Sequence, residues 1–134
     1  MPEPDTVASM SETDALRQKH VILLVEDDEV TRELVRDHLY DIGYEVVIAA
    51  NADEAHEIIA ARRAIELVLT DINMPGSMDG AELARCLQTY APTMPVILVS
   101  GKASFPHSSS QKRWFLQKPF QLAALEDRIR KILD

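Results

Sequence analysis

The chain of 134 residues has one cysteine, Cys86, which leaves neither a disulfide framework nor a thiolate metal site. Its place among Leu83, Ala84 and Leu87 reads as that of a small core residue. Positive charge is scarce: 14 Lys and Arg stand against 22 Asp and Glu, a formal net charge of -8. Nucleic acid and anionic membrane surfaces are held by clustered Lys and Arg, so no direct nucleic-acid binding is expected. Long apolar runs are also missing. Val21–Val25 is far too short to cross a bilayer, and the amino terminus carries Glu3 and Asp5 where a secretory signal needs positive charge. No membrane insertion and a cytoplasmic location are therefore expected. What remains is ordinary for one globular domain, with 46% hydrophobic and 27% charged residues.

Residues 1–19 carry two prolines and several Ser and Thr without a sustained apolar period, which reads as a tail with at most a short helix capped by Ser11. From His20 the pattern becomes regular. Strands are predicted at Val21–Val25, Glu45–Ala49, Glu66–Thr70, Pro95–Ser100 and about Arg113–Gln117. Helices are predicted between them. The first covers about Glu29–Ile42, with Val30, Leu34, Val35, Leu39 and Ile42 as its apolar stripe and Gly43 ending it. The second opens at Asn51, with Glu54 three residues on, and runs to about Arg63; the third starts at Asp79. A last helix spans about Leu122–Leu133. Strands alternating with helices imply an α/β, doubly wound parallel five-stranded sheet. Between Ser100 and Phe115 the sequence "SGKASFPHSSSQKRWF" holds a proline and three consecutive serines, so the fourth helix is expected to be short or missing. His20, His38, His56 and His107 lack ligand spacing and read as solvated or helix-surface residues.

Ligands of open parallel sheets bind at the carboxyl ends of the strands. Strand one ends in Glu26, Asp27 and Asp28 and strand three in Asp71, which brings at least three carboxylates to one rim. Like charges that close raise one another's pKa, and a hard divalent cation is the natural compensation, Mg2+ in particular. "EDDE" alone could equally be a solvated helix start. Ser100 at the end of strand four and Lys118 at the end of strand five point to the same rim and shift the balance toward a site.

The ordered set "LVEDDE", "LTDINMPGSMDG", "LVSGKA" and "FLQKPF" resembles the receiver domain of two-component response regulators over residues 20–134. The resemblance implies the flavodoxin-like (βα)5 fold with strand order 2-1-3-4-5. It makes Asp71 the phosphoacceptor for a histidine kinase or histidine phosphotransfer protein. Glu26, Asp27, Asp71 and the backbone carbonyl of Asn73 would hold Mg2+, Ser100 and Lys118 would contact the phosphoryl oxygens, and Ser100 with Phe115 would form the switch. Trp114, by alternation, points to the opposite face from Phe115. Lys118–Pro119 resembles the family's usual cis peptide, and Asn73 and Lys102 would tune the lifetime of the phosphoryl group.

Some residues depart from the family pattern. The strand-three loop "MPGSMDG" is one residue longer than the commonest form, Ser100 replaces Thr, and Phe115 replaces Tyr. The serine-rich fourth crossover speaks against dimerisation through the usual face. With Asp134 directly after the last helix, a stand-alone regulator signalling by phosphorylation-dependent binding of a downstream protein is expected, with a phosphate shuttle or sink in a phosphorelay as the alternative. An aspartyl-nucleophile phosphohydrolase is the rival from another class. Such enzymes carry a general-acid aspartate two residues after the nucleophile, where this chain has Asn73, so an acceptor rather than a turnover enzyme is expected. A degenerate receiver that docks partners unphosphorylated would not need the full residue set.

Overall fold

The computed structural model describes residues 20–61, 64–73, 79–101 and 113–133. The expected tail, the strand-three loop at 74–78, the shortened fourth crossover with Lys102 and His107, and the predicted end of the second helix at Arg63 lie outside the described residues.

Five strands form one sheet: β1 Val21–Val25, β2 Glu45–Ala49, β3 Leu67–Asp71, β4 Val96–Ser100 and β5 Arg113–Gln117. Four helices are described, α1 Glu29–Asp41, α2 Ala52–Ala61, α3 Gly80–Tyr90 and α4 Leu122–Leu133. All strand pairs are parallel and the order is β2-β1-β3-β4-β5, which is the doubly wound 2-1-3-4-5 arrangement. β3 is placed one residue later than predicted, so that Asp71 is its last member and pairs with Val99.

Side-chain alternation divides the core into two layers. Leu23, Val25, Val68 and Leu98 pack with Ala55 and Ile59 of α2 and Leu83 and Leu87 of α3. Ile22, Leu24, Leu69 and Ile97 pack with Val35 and Leu39 of α1 and Leu125 and Ile129 of α4. Both faces being covered explains why the central strands are apolar throughout rather than alternating. Phe115 joins the first layer and Trp114 the second, as alternation predicted.

The helix ends follow local chemistry. Asp79 caps α3 in a complete capping box: its Oδ1 accepts from the Glu82 N–H at 2.9 Å while Glu82 Oε1 accepts from the Asp79 N–H at 3.1 Å. At α2, Asn51 Oδ1 accepts from the Glu54 N–H, but the Glu54 carboxylate reaches past Asn51 to the Ala50 N–H at 2.7 Å. Gly43, with φ of 105°, ends the α1 turn in a conformation that only glycine adopts without strain.

Three expectations are corrected. The apolar stripe of α1 is only partly buried: Val35 and Leu39 are inside, while Val30 and Leu34 are 76% and 58% exposed, because at about 100° per residue they stand roughly 100° or more around the helix from that buried pair. Cys86, on α3, is half-buried rather than part of the core. His38 is not solvated; its Nε2 is buried between α1 and α4, 3.3 Å from Glu126 Oε1 and without hydrogen-bond geometry. His20, read as a solvated residue, meets the Glu66 carboxylate at 3.2 Å in an exposed contact.

Candidate functional site

Because the chain runs from β1 outward to β2 and then back across to β3, the sheet opens a crevice at the carboxyl ends of β1 and β3. The residues at those two ends are acidic. Glu26 continues β1, its N–H donating to the Ala49 carbonyl at 3.1 Å, and Asp71 closes β3. Both are buried, whereas Asp27 is exposed. The carboxylates of Glu26, Asp27 and Asp71 each bring an oxygen within 4.8 Å of the other two. Asp28 does not join them: its Oδ2 accepts from the Thr31 N–H at 2.8 Å and the Thr31 hydroxyl at 2.6 Å, as the N-cap of α1.

Asp71 is held from several sides. Its Oδ2 accepts from Lys118 Nζ at 2.7 Å and its Oδ1 from the Asn73 N–H at 3.2 Å. The Thr70 hydroxyl donates to the Asp71 backbone carbonyl at 3.0 Å. Gly80, at the start of α3, packs against that same carbonyl; a Cβ built on it would overlap the Asp71 oxygen and lie 2.9 Å from the carbonyl carbon. Lys118 reaches the crevice from the far edge of the sheet, tied to β4 by its N–H donating to the Ser100 carbonyl at 2.7 Å. Its ammonium also lies 3.5 Å from Glu26 Oε1, and Lys118–Pro119 is cis. Ser100 is buried at the end of β4, and Phe115, half-buried, pairs with Leu98 one strand over.

The titration of these groups reflects the crowding. Burial pushes the Glu26 carboxyl above its usual value; the Asp28 N–H and the Lys118 charge oppose this, and the charge of Asp71 adds to it. For Lys118, burial works to lower the ammonium pKa, but its hydrogen bond to Asp71 and the charges of Glu26 and Asp71 outweigh burial, and the net shift is upward. Two buried acids thus share one cation, with an exposed third acid beside them. An all-oxygen donor set with an open side suits a hard divalent ion that keeps part of its water, and the residues present fit Mg2+.

Two contributors were missed in the sequence. Arg32 Nη1 donates to the Glu26 backbone carbonyl at 2.9 Å, a link that its position one helical turn past Asp28 could have suggested. The close approach of Gly80 to Asp71 had no local signal beyond the glycine itself.

The chain is similar to known proteins along most of its length. The family model described as the response regulator receiver domain matches residues 22–130. The response regulator protein FleR of Pseudomonas aeruginosa is 38% identical over 112 residues, covering 81% of this chain and 23% of FleR. The response regulator MprA of Mycobacterium ulcerans is 35% identical over 116 residues, covering 84% of this chain and 49% of MprA. The chain thus spans less than half the length of either regulator. Among solved structures, a response regulator receiver protein from Sinorhizobium medicae superposes with a TM-score of 0.79 at 29% identity, covering 87% of this chain and 95% of that one. TrrA from Thermotoga maritima, solved in complex with Mg(2+)-BeF, gives a TM-score of 0.76 at 28% identity, covering 85% and 99%. With the acidic crevice at the strand ends, these similarities establish that the chain belongs to the response regulator receiver domains, the phospho-acceptors of two-component signalling.

Proposed function

We propose that Asp71 is the phosphoacceptor of this chain and takes its phosphoryl group from the phosphohistidine of a histidine kinase or histidine phosphotransfer protein. The observation that carries the reading is the Asp71 carboxylate itself, rigid at a strand end, 2.7 Å from Lys118 Nζ and within metal-sharing distance of Glu26 and Asp27. A carboxylate oxygen of Asp71 attacks phosphorus in line with the P–N bond; that bond breaks, its electron pair leaves on the imidazole nitrogen, and an acyl phosphate remains. Glu26, Asp27, Asp71 and the Asn73 carbonyl would hold Mg2+, which would supply positive charge to the transferring oxygens. Lys118 moves its hydrogen bond from Asp71 to the incoming phosphoryl oxygens, so charge neutralisation is in place before the reaction. Asn73 stands where a phosphohydrolase would have its acid, which favours an acceptor with slow loss of phosphate over a turnover enzyme.

The donor approaches along the start of α1. Val30 and Leu34 leave an apolar strip there, continuous with a groove of about 520 Å³ lined by Leu34, Pro119, Phe120, Leu122 and Lys118. Because Lys118 lines the groove and also touches Asp71, a donor protein seated on that strip brings its phosphohistidine to the site. After transfer, the Ser100 hydroxyl turns to the phosphoryl group and Phe115 follows it inward, altering the surface that a downstream protein reads. Such signalling between proteins takes place in the cytoplasm.

Incubation with acetyl phosphate and Mg2+, followed by intact-mass spectrometry, tests the reading. One phosphate on the wild type, dependent on Mg2+ and absent from Asp71→Ala, is expected. An adduct that persists in Asp71→Ala, or none on folded wild type with any phosphodonor, would overturn it.

A further inference from the structure

We propose that Arg32 is a positioning residue for the cation site, holding the β1–α1 link so that Asp27 and Glu26 face Asp71; this rests on the phosphoacceptor reading above. The link is only Glu26, Asp27 and Asp28, between Val25 at the end of β1 and Glu29 at the start of α1. Its two ends are secured. The Glu26 N–H donates to the Ala49 carbonyl at 3.1 Å, and the Asp28 side chain caps α1 through Thr31. The centre of the link is the peptide joining Glu26 to Asp27, and its carbonyl accepts from Arg32 Nη1 at 2.9 Å. The orientation of that planar peptide sets where the Cβ of Asp27 points. Asp27 needs such support most, because it is the exposed member of the three carboxylates. Arg32 itself is half-buried, and its guanidinium is planar, so a bond from it constrains direction as well as distance.

Charge and geometry make opposite predictions for this residue. A guanidinium beside the acidic crevice repels a cation, so if charge were its whole effect, removing it would tighten Mg2+ binding. If its bond to the Glu26 carbonyl sets the ligand geometry, removing it loosens binding. Groups that orient metal ligands change affinity by about 10-fold to 100-fold when lost, more than screened repulsion at an exposed site.

The measurement is a 1H–15N NMR titration of the full chain with MgCl2 at constant ionic strength. Amides of the β1–α1 link and of Asn73 report the Kd. Arg32→Met is expected to raise the Kd about tenfold. Arg32→Lys, which keeps the charge on a shorter stem with a single donor nitrogen, should fall between it and the wild type. At saturating Mg2+, labelling of Arg32→Met by acetyl phosphate should return to the wild-type rate, which a damaged fold would not permit. A Kd for Arg32→Met equal to or below that of the wild type would overturn the role. If Arg32→Met does not fold by circular dichroism, Arg32→Gln is read by the same criterion. Mg2+ binding in the wild type that the variants retain undiminished removes only the role of Arg32. A wild type showing no Mg2+-dependent shift removes the phosphoacceptor reading and this inference together.

Discussion

Glu26 is a carboxylate in a place that disfavours its charge. Burial raises its pKa above the ordinary 4.5, and Lys118 and the Asp28 N–H only partly offset this. The folded protein therefore holds the Glu26 proton more tightly than the unfolded chain does. The stability this contributes is fully present below the unfolded pKa of 4.5 and is lost as pH rises through the folded value. At neutral pH the ionised group opposes folding. Glu26→Gln is expected to raise the Tm in metal-free buffer at neutral pH by about 4 °C, the shift for roughly 1 kcal/mol in a domain of this size. The gain should shrink as pH is lowered toward the carboxylate range, and the same substitution should weaken Mg2+ binding. Thermal denaturation across pH with EDTA, paired with an Mg2+ titration, checks both; a lower Tm at neutral pH would show that Lys118 gains more from Glu26 than burial costs.

At the scale of elements, α3 is coupled to the site through its first residue rather than through its cap. Gly80 lies against the Asp71 carbonyl, so a methyl group there must push either the end of β3 or the start of α3. Gly80→Ala is expected to cost about 1–3 kcal/mol in urea denaturation and to slow labelling of Asp71 by acetyl phosphate. Asp79→Ala, one residue earlier, removes the capping box and should cost about 1 kcal/mol while leaving the labelling rate near that of the wild type. Equal slowing in both would mean that α3 acts on Asp71 through its overall stability and not through that contact. α1 shows the converse division: Asp28 and Thr31 fix its start, Val35 and Leu39 fix its buried face, and Val30 and Leu34 stay exposed.

Over the whole molecule, a sheet covered on both faces leaves its functional groups one place to meet, the rim at the carboxyl ends of the strands. The exposed strip of Val30 and Leu34, along which the proposed donor would dock, contributes little to the core. The double substitution Val30→Ser with Leu34→Ser should change unfolding free energy by less than about 0.5 kcal/mol, since both side chains are mostly exposed. Transfer from a phosphorylated donor protein should then fall much further than labelling by acetyl phosphate, which needs no protein surface. Comparable loss with both donors would place the strip in the chemistry rather than in docking.

Much of this protein was readable from its sequence, because element type is a local property. Apolar runs marked β1 to β5, and Asp79 marked the start of α3. Parallel topology then carried Glu26, Asp71, Ser100 and Lys118 to one rim without any distance being known. Choices between adjacent residues of like chemistry were not readable. Asp27 and Asp28 differ by one position, yet one faces Asp71 and the other caps α1, because the helix start takes whichever carboxylate its N–H groups reach. A partner distant in sequence was equally hidden, His38 against Glu126, and so was the nearer contact of Gly80 with Asp71. The exposure of Val30 and Leu34 follows from their place around α1, roughly 100° or more from Val35 and Leu39, which grouping all five apolar positions into one stripe overlooked. Sequence determined which groups reach the site, since alternation and strand direction are set residue by residue; tertiary packing alone decided what each group touches, since contact depends on elements far apart in the chain.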